Sequence, residues 1–97
     1  MKRKEVLKIL NDHKQDLVKR YSIRSLSIFG SVARDEARPD SDVDILVEFS
    51  ETPGLFDFIA LKQEFESLLG CNVDLGTPRS LKPRIQSDVL REAIRVA

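Results

Sequence analysis

Between Lys4 and Tyr21 the apolar residues Val6, Leu7, Leu10, Leu17, Val18 and Tyr21 recur at spacings mostly of three, four or seven, with charges between them. That period predicts an amphipathic helix. From Ser25 to Phe29 the period falls to two and stops at Gly30, which predicts a short strand ending in a turn. A short helix is expected to begin at Ser31, whose hydroxyl suits an N-cap, and to close at Glu36 ahead of Pro39, because the residue before a proline disfavours helix. Asp42 to Phe49 alternates again, with Val43, Ile45 and Val47 toward one face and Asp42, Asp44, Leu46 and Glu48 toward the other. After the turn Thr52-Pro53-Gly54, the positions Leu55, Phe58, Ile59, Phe65, Leu68 and Leu69 mark a helix that Gly70 ends as a C-terminal cap. Cys71 to Leu75 reads as a third strand, with Cys71, Val73 and Leu75 on one face and Asn72 and Asp74 on the other. A loop broken by Pro83 leads to a closing helix with Ile85, Val89, Leu90, Ala93 and Ile94 on its apolar side.

The helix between the second and third strands has the length of a right-handed parallel crossover, whereas the first two strands are close enough to pair antiparallel. The expected fold class is therefore α/β, a small mixed sheet of three to four strands with helices packed on one face. A chain of 97 residues suits one domain spanning 1–97, since domains typically run about 100 to 150 residues.

Hydrophobic residues make up 41% and charged residues 33%, a balance that suits a globular fold and excludes collagen-like or disordered chains. No apolar run approaches the roughly 20 residues needed to cross a bilayer, and the start Met1-Lys2-Arg3-Lys4 leads into a polar-interrupted helix pattern rather than a signal-peptide core. A cytoplasmic location without membrane contact is expected. Sixteen basic and sixteen acidic residues cancel, so no global field draws the chain to nucleic acid, and any polyanion must be bound locally. The single Cys71 cannot form an internal disulfide, and neither it nor the single His13 has zinc-ligand spacing around it. An inert thiol and a partly exposed helix residue are the expected readings.

The candidate chemistry lies in the carboxylates. Asp42 and Asp44, two apart on a strand, project from one face with α-carbons about 6.5 to 7 Å apart. At that separation two like charges repel by about 2 to 3 kcal/mol at an effective dielectric near 20. A cation between them reverses the sign of that penalty, and Mg²⁺ favours carboxylate oxygen while leaving sites for phosphate and water. The plain alternative is a solvated strand start after Pro39-Asp40-Ser41. If the apolar positions of the second and third strands bury against one helical layer, Asp74 emerges beside Asp42 and Asp44. Three converging carboxylates suit two metal ions that clamp the attacking and leaving oxygens of an in-line phosphoryl displacement. Gly30 and Ser31 complement them, since glycine admits close approach of a phosphate and the N–H groups opening a helix donate to its oxygens.

Gly30-Ser31, ten residues, then Asp42-Val43-Asp44 resembles the signature of the polymerase β-like nucleotidyltransferase superfamily. The longer run Phe29-Gly30-Ser31-Val32-Ala33-Arg34 through Ala37-Arg38-Pro39-Asp40-Ser41-Asp42-Val43-Asp44-Ile45-Leu46-Val47 is similar to its minimal (MNT) branch. The resemblance implies a polymerase β-like nucleotidyltransferase core. It implies that Gly30, Ser31, Arg34 and Ser41 hold the triphosphate, that Asp42 and Asp44 bind two Mg²⁺ ions, and that Asp74 completes the catalytic metal site and helps deprotonate the attacking hydroxyl. Arg34 has an equal reading as a solvent-facing helix arginine, and Arg38 as a partner of Asp35, Glu36 or Asp40. Arg79, Lys82 and Arg84 form a small basic group best read as solvated loop. With ATP as substrate, the resemblance further implies AMP transfer to a hydroxyl on a protein partner, a HEPN-domain toxin that this chain silences as antitoxin in a hetero-oligomer, with no direct role for nucleic acid. Two rivals stand beside it: a non-catalytic module that neutralises the HEPN partner by occlusion, and nucleotide sensing without transfer.

Overall fold

The amphipathic stretch forms α1 (Arg3–Tyr21), which buries Val6, Leu10 and Leu17 and ends where Ser22 adopts a left-handed φ of 55°. The structure, a computed structural model, describes all 97 residues. Two further elements follow in chain order, β1 (Ile23–Phe29) and the four-residue α2 (Gly30–Ala33); then come β2 (Val43–Phe49), α3 (Leu55–Leu69), β3 (Val73–Gly76), a 3₁₀ turn (Pro78–Ser80), α4 (Pro83–Glu92) and β4 (Ile94–Arg95). The strands form one mixed sheet in the order β3-β2-β1-β4. As the sequence predicts, β1 and β2 are antiparallel and β2 and β3 parallel across the α3 crossover. Gly70 caps α3 with a φ of 70°, its N–H donating to the Glu66 carbonyl at 2.8 Å.

Register decides what each face of the sheet carries. Leu26 lies opposite Val47 and Ile28 opposite Ile45, while Val43 and Ile45 lie beside Val73 and Leu75. Opposed residues share a face, so these side chains form one apolar surface. It buries against Val6, Leu10 and Leu17 of α1, Leu61, Phe65 and Leu69 of α3, and Val32 and Ala33 of α2. The other face presents Ser27, Asp44, Glu48 and Asp74. Leu46, on that polar face by register, is nonetheless buried, set between Ser27 and Gly76 of the flanking strands.

Several boundaries differ from the sequence expectation. β1 starts at Ile23, because a register shift between Ile23 and Ser25 breaks the alternation and lets Ile23 and Leu26 both be buried. Ser31 is not an N-cap: α2 begins at Gly30, with Phe29 in the cap position and no side-chain cap bond. That helix ends before Glu36, where Asp35 turns at a φ of 60° and the Glu36 N–H returns to the Ser31 carbonyl at 2.8 Å. Asp42 precedes β2 rather than opening it, and Cys71 and Asn72 precede β3. Cys71 is half-buried, and its burial pushes the thiol pKa up.

The C-terminal segment departs furthest. The expected helix through Ile94 stops at Glu92, and Ile94–Arg95 pair antiparallel with Ile28 and Ser27 as an edge strand. The backbone groups at the open edge of β1 require partners, and the chain end supplies them; Leu26 also exchanges hydrogen bonds with Val96 and Ala97. No α4 residue is buried, and Ile85 and Leu90 are exposed, contrary to the expected packed stripe. The core face is already covered without any residue of α4.

Between α1 and α3, Tyr21 Oη donates to Glu64 Oε2 at 2.6 Å and Arg20, itself bound to Asp16, also pairs with Glu64. Arg20 and then Tyr21 hold the Glu64 carboxyl below its ordinary 4.5. A depressed carboxyl pKa contributes stability above its unfolded value and loses it as pH falls through the folded value. Tyr21→Phe is therefore expected to lower stability by about 1 kcal/mol at neutral pH, and by less below pH 4, in urea titrations. A loss that does not depend on pH contradicts the assignment.

Candidate active site

Asp44 is the second residue of β2 and lies directly beside Asp74, the second residue of β3, in the parallel register. Both therefore leave the polar face side by side. Asp42 stands two residues before Asp44, exposed at the entry to β2, within electrostatic reach of it. Burial first, then the charges of Asp74 and Asp42, push the Asp44 carboxyl up from its ordinary 3.8 to about 6, opposed by the positive charge of Arg34. The three expected acids thus act on one another at the end of the sheet where β2 and β3 begin.

Across the β1–β2 pair, Phe29 lies opposite Asp44, which places Gly30 against the same carboxylate. Gly30 has a φ of +71°, and a Cβ built there falls 2.1 Å from Asp44 Oδ2. Glycine is required here twice over, for its backbone angle and for the space that Asp44 fills. Ser31 follows as the half-buried second residue of α2. Arg38-Pro39-Asp40-Ser41 closes as a turn: the Ser41 hydroxyl accepts the Arg38 N–H at 2.9 Å and the Ser41 N–H donates to the Arg38 carbonyl at 3.0 Å. Ser41 therefore shapes the approach to Asp42, and its hydroxyl proton stays available to donate.

A model of the nucleotidyltransferase domain matches residues 10–96, which takes in every one of these positions. The chain belongs to the nucleotidyltransferase domain family. It is 49% identical over 92 residues to the protein adenylyltransferase MntA of Thermococcus cleftensis, covering 95% of this chain and 93% of that protein. A solved structure described as a minimal nucleotidyltransferase superposes with a TM-score of 0.81 at 45% identity, covering 97% of this chain and 95% of the other. A chain in the solved complex of a tri-AMPylated Shewanella oneidensis HEPN toxin with an MNT antitoxin shares the fold, with a TM-score of 0.67 at 20% identity over 94% of this chain and 71% of that one.

For a nucleotidyltransferase, the donor set invites a test against divalent metal. All three acids offer hard oxygen, which suits Mg²⁺. They do not stand together as a preformed cage of three ligands. Mg²⁺ seldom uses such a cage, because it binds through one or two carboxylates and takes its remaining ligands from water and substrate phosphates. The pair of half-buried Asp44 and exposed Asp74 fits that mode, and a cation there relieves the repulsion that adds to burial in raising Asp44.

Arg34 follows α2 and is not free: its Nη1 donates to Glu92 Oε2 at 3.1 Å and its Nε to Glu36 Oε2 at 3.3 Å. Sequence reasoning missed both acids. Glu36 was readable as a near neighbour, but the contact to Glu92 spans 58 positions and leaves no local signal. Arg79, Lys82 and Arg84 are exposed and lie after β3, at the far end of the strands from the acids. A groove of about 690 Å³ is also at that far end, where Arg24, Phe49, Leu55, Phe58 and Arg79 line it. Phe49 is five residues from Asp44 along β2, roughly 17 Å in an extended strand, so that groove is not the site of the carboxylate chemistry.

Proposed function

We propose that this nucleotidyltransferase transfers AMP from ATP to a hydroxyl of a HEPN-domain toxin and acts as its antitoxin. The observation that carries this reading is the pairing of Asp44 with Asp74 against Gly30, an oxygen-rich pair beside a glycine that leaves room for nothing larger. Its 49% identity to a protein adenylyltransferase over nearly both full lengths supports a protein acceptor. The S. oneidensis complex, which carries an AMPylated HEPN toxin, supports the partner class.

In this reading Asp42 and Asp44 would hold two Mg²⁺ ions, with Asp74 completing the site. Bound there, the metal would supply positive charge against the charge developing on the attacking and leaving oxygens. Gly30 and Ser31 position the triphosphate, and Arg34 and Ser41 lie at its edge. Asp74, beside Asp44, accepts the proton of the attacking hydroxyl. The hydroxyl oxygen then bonds to the α-phosphorus as the bond to pyrophosphate breaks. Positioning and charge neutralisation supply most of the catalysis. No helix is long and apolar enough to cross a membrane.

The exposed apolar side chains of Leu55, Phe56 and Ile59 favour direct contact with a protein partner, which occlusion alone also requires. Asp42→Ala combined with Asp44→Ala separates the two. Loss of toxin neutralisation in a growth assay, with the complex still forming on a sizing column, is the expected result. Neutralisation that survives the double substitution assigns the activity to occlusion.

A further inference from the structure

Arg34 meets two acids at once, and they differ in kind. Glu36 is a local neighbour, whereas Glu92 is the last residue of α4 and ties that helix to the end of α2. Nothing in α4 is buried, so few apolar contacts fix its place. The Arg34 and Glu92 side chains are 43% and 41% exposed. A pair so exposed contributes little to stability, so fold stability does not account for a contact of this reach. Its geometry is more telling. The guanidinium fork offers Nη1 to one carboxylate and Nε to another, in the manner in which arginine grips phosphate oxygens. It does so close enough to Asp44 for its charge to act there.

We infer that Glu92 competes with the nucleotide for Arg34: in the free chain its carboxylate occupies the guanidinium in place of a phosphate oxygen, and the triphosphate displaces it on binding. This inference rests on the reading of the Gly30–Asp44 site as a triphosphate site. Two consequences follow. The Arg34–Glu92 pair opposes nucleotide binding by the strength of an exposed ion pair. Binding also releases the C-terminal end of α4, so the nucleotide state is transmitted to a helix whose Ile85 and Leu90 face outward.

The test is calorimetric titration of the full chain with a non-hydrolysable ATP analogue and Mg²⁺, comparing wild type, Glu92→Gln, Arg34→Ala and the double variant. Glu92→Gln is expected to bind about two- to fivefold tighter, the span of an exposed ion pair. Arg34→Ala should bind more weakly, and adding Glu92→Gln to it should change nothing, since the residue acts only through Arg34. Unchanged or weaker binding by Glu92→Gln overturns the competition, as does an equal shift in the Arg34→Ala background, which marks a merely structural effect. No binding by the wild-type chain overturns the triphosphate reading itself and the competition with it.

Discussion

Gly30→Ala is expected to reduce AMP transfer by about a hundredfold or more while leaving a folded protein. The methyl group would fall 2.1 Å from Asp44 Oδ2 and 3.1 Å from its Cγ, so the carboxylate must rotate away. Misplacing a catalytic group by an ångström costs about that factor. The φ of +71° adds about 1 to 2 kcal/mol of backbone strain for any L side chain. Gly70 provides the control. It has a φ of +70° with nothing within 4 Å of a built Cβ, so Gly70→Ala carries the strain without the clash. Urea titrations should find both variants destabilised, Gly30→Ala by more, and transfer assays should find only Gly30→Ala inactive. Equal activity in the two variants contradicts the interlock between Gly30 and Asp44.

Asp44→Asn should separate stability from activity in the opposite direction, abolishing transfer while raising the melting temperature at neutral pH. Burial and the neighbouring acids raise the Asp44 carboxyl from 3.8 to about 6. The folded state thus binds this proton more tightly than the unfolded chain does. By linkage, the stability it confers is fully present below pH 3.8 and is lost as pH rises through about 6. Above that window the charged carboxylate destabilises the fold. The full shift corresponds to about 3 kcal/mol, which solvent screening of a half-exposed group reduces to on the order of 1 kcal/mol. Asn keeps the shape, removes the charge and can donate to Asp74. The stability gain of Asp44→Asn over wild type should grow between pH 4 and pH 6 and level off above. A gain that is flat with pH, or a loss at pH 7, contradicts the electrostatic account.

Elements with strong periodicity were legible in the sequence: α1, α3, β2, the antiparallel and parallel pairings, and the Gly70 cap all follow from apolar spacing and one glycine. The same alternation located Asp74 beside Asp44, because β3 must bury Val73 and Leu75 against the layer that covers Val43 and Ile45. Three things were not legible. The register shift near Ile23 hides a strand start by breaking the period. β4 is two residues long and exists because β1 has an open edge, a demand made by the sheet and not by the local sequence. The apolar stripe of α4 resembles any buried helix face until the core proves to be filled by α1 and α3. At the site, the Gly-Ser and the aspartates announced themselves by spacing, but the closeness of Gly30 to Asp44 and the hold of Glu92 on Arg34 are products of folding.

The proposed function is tested most directly by intact mass spectrometry of the HEPN partner. The partner is incubated with ATP and Mg²⁺ together with either the wild-type chain or Asp44→Asn. The partner should gain the mass of one or more AMP groups with the wild-type chain, and none with Asp44→Asn, although both bind the partner. An unmodified partner with the wild-type chain, or equal modification by both, would contradict the proposed function.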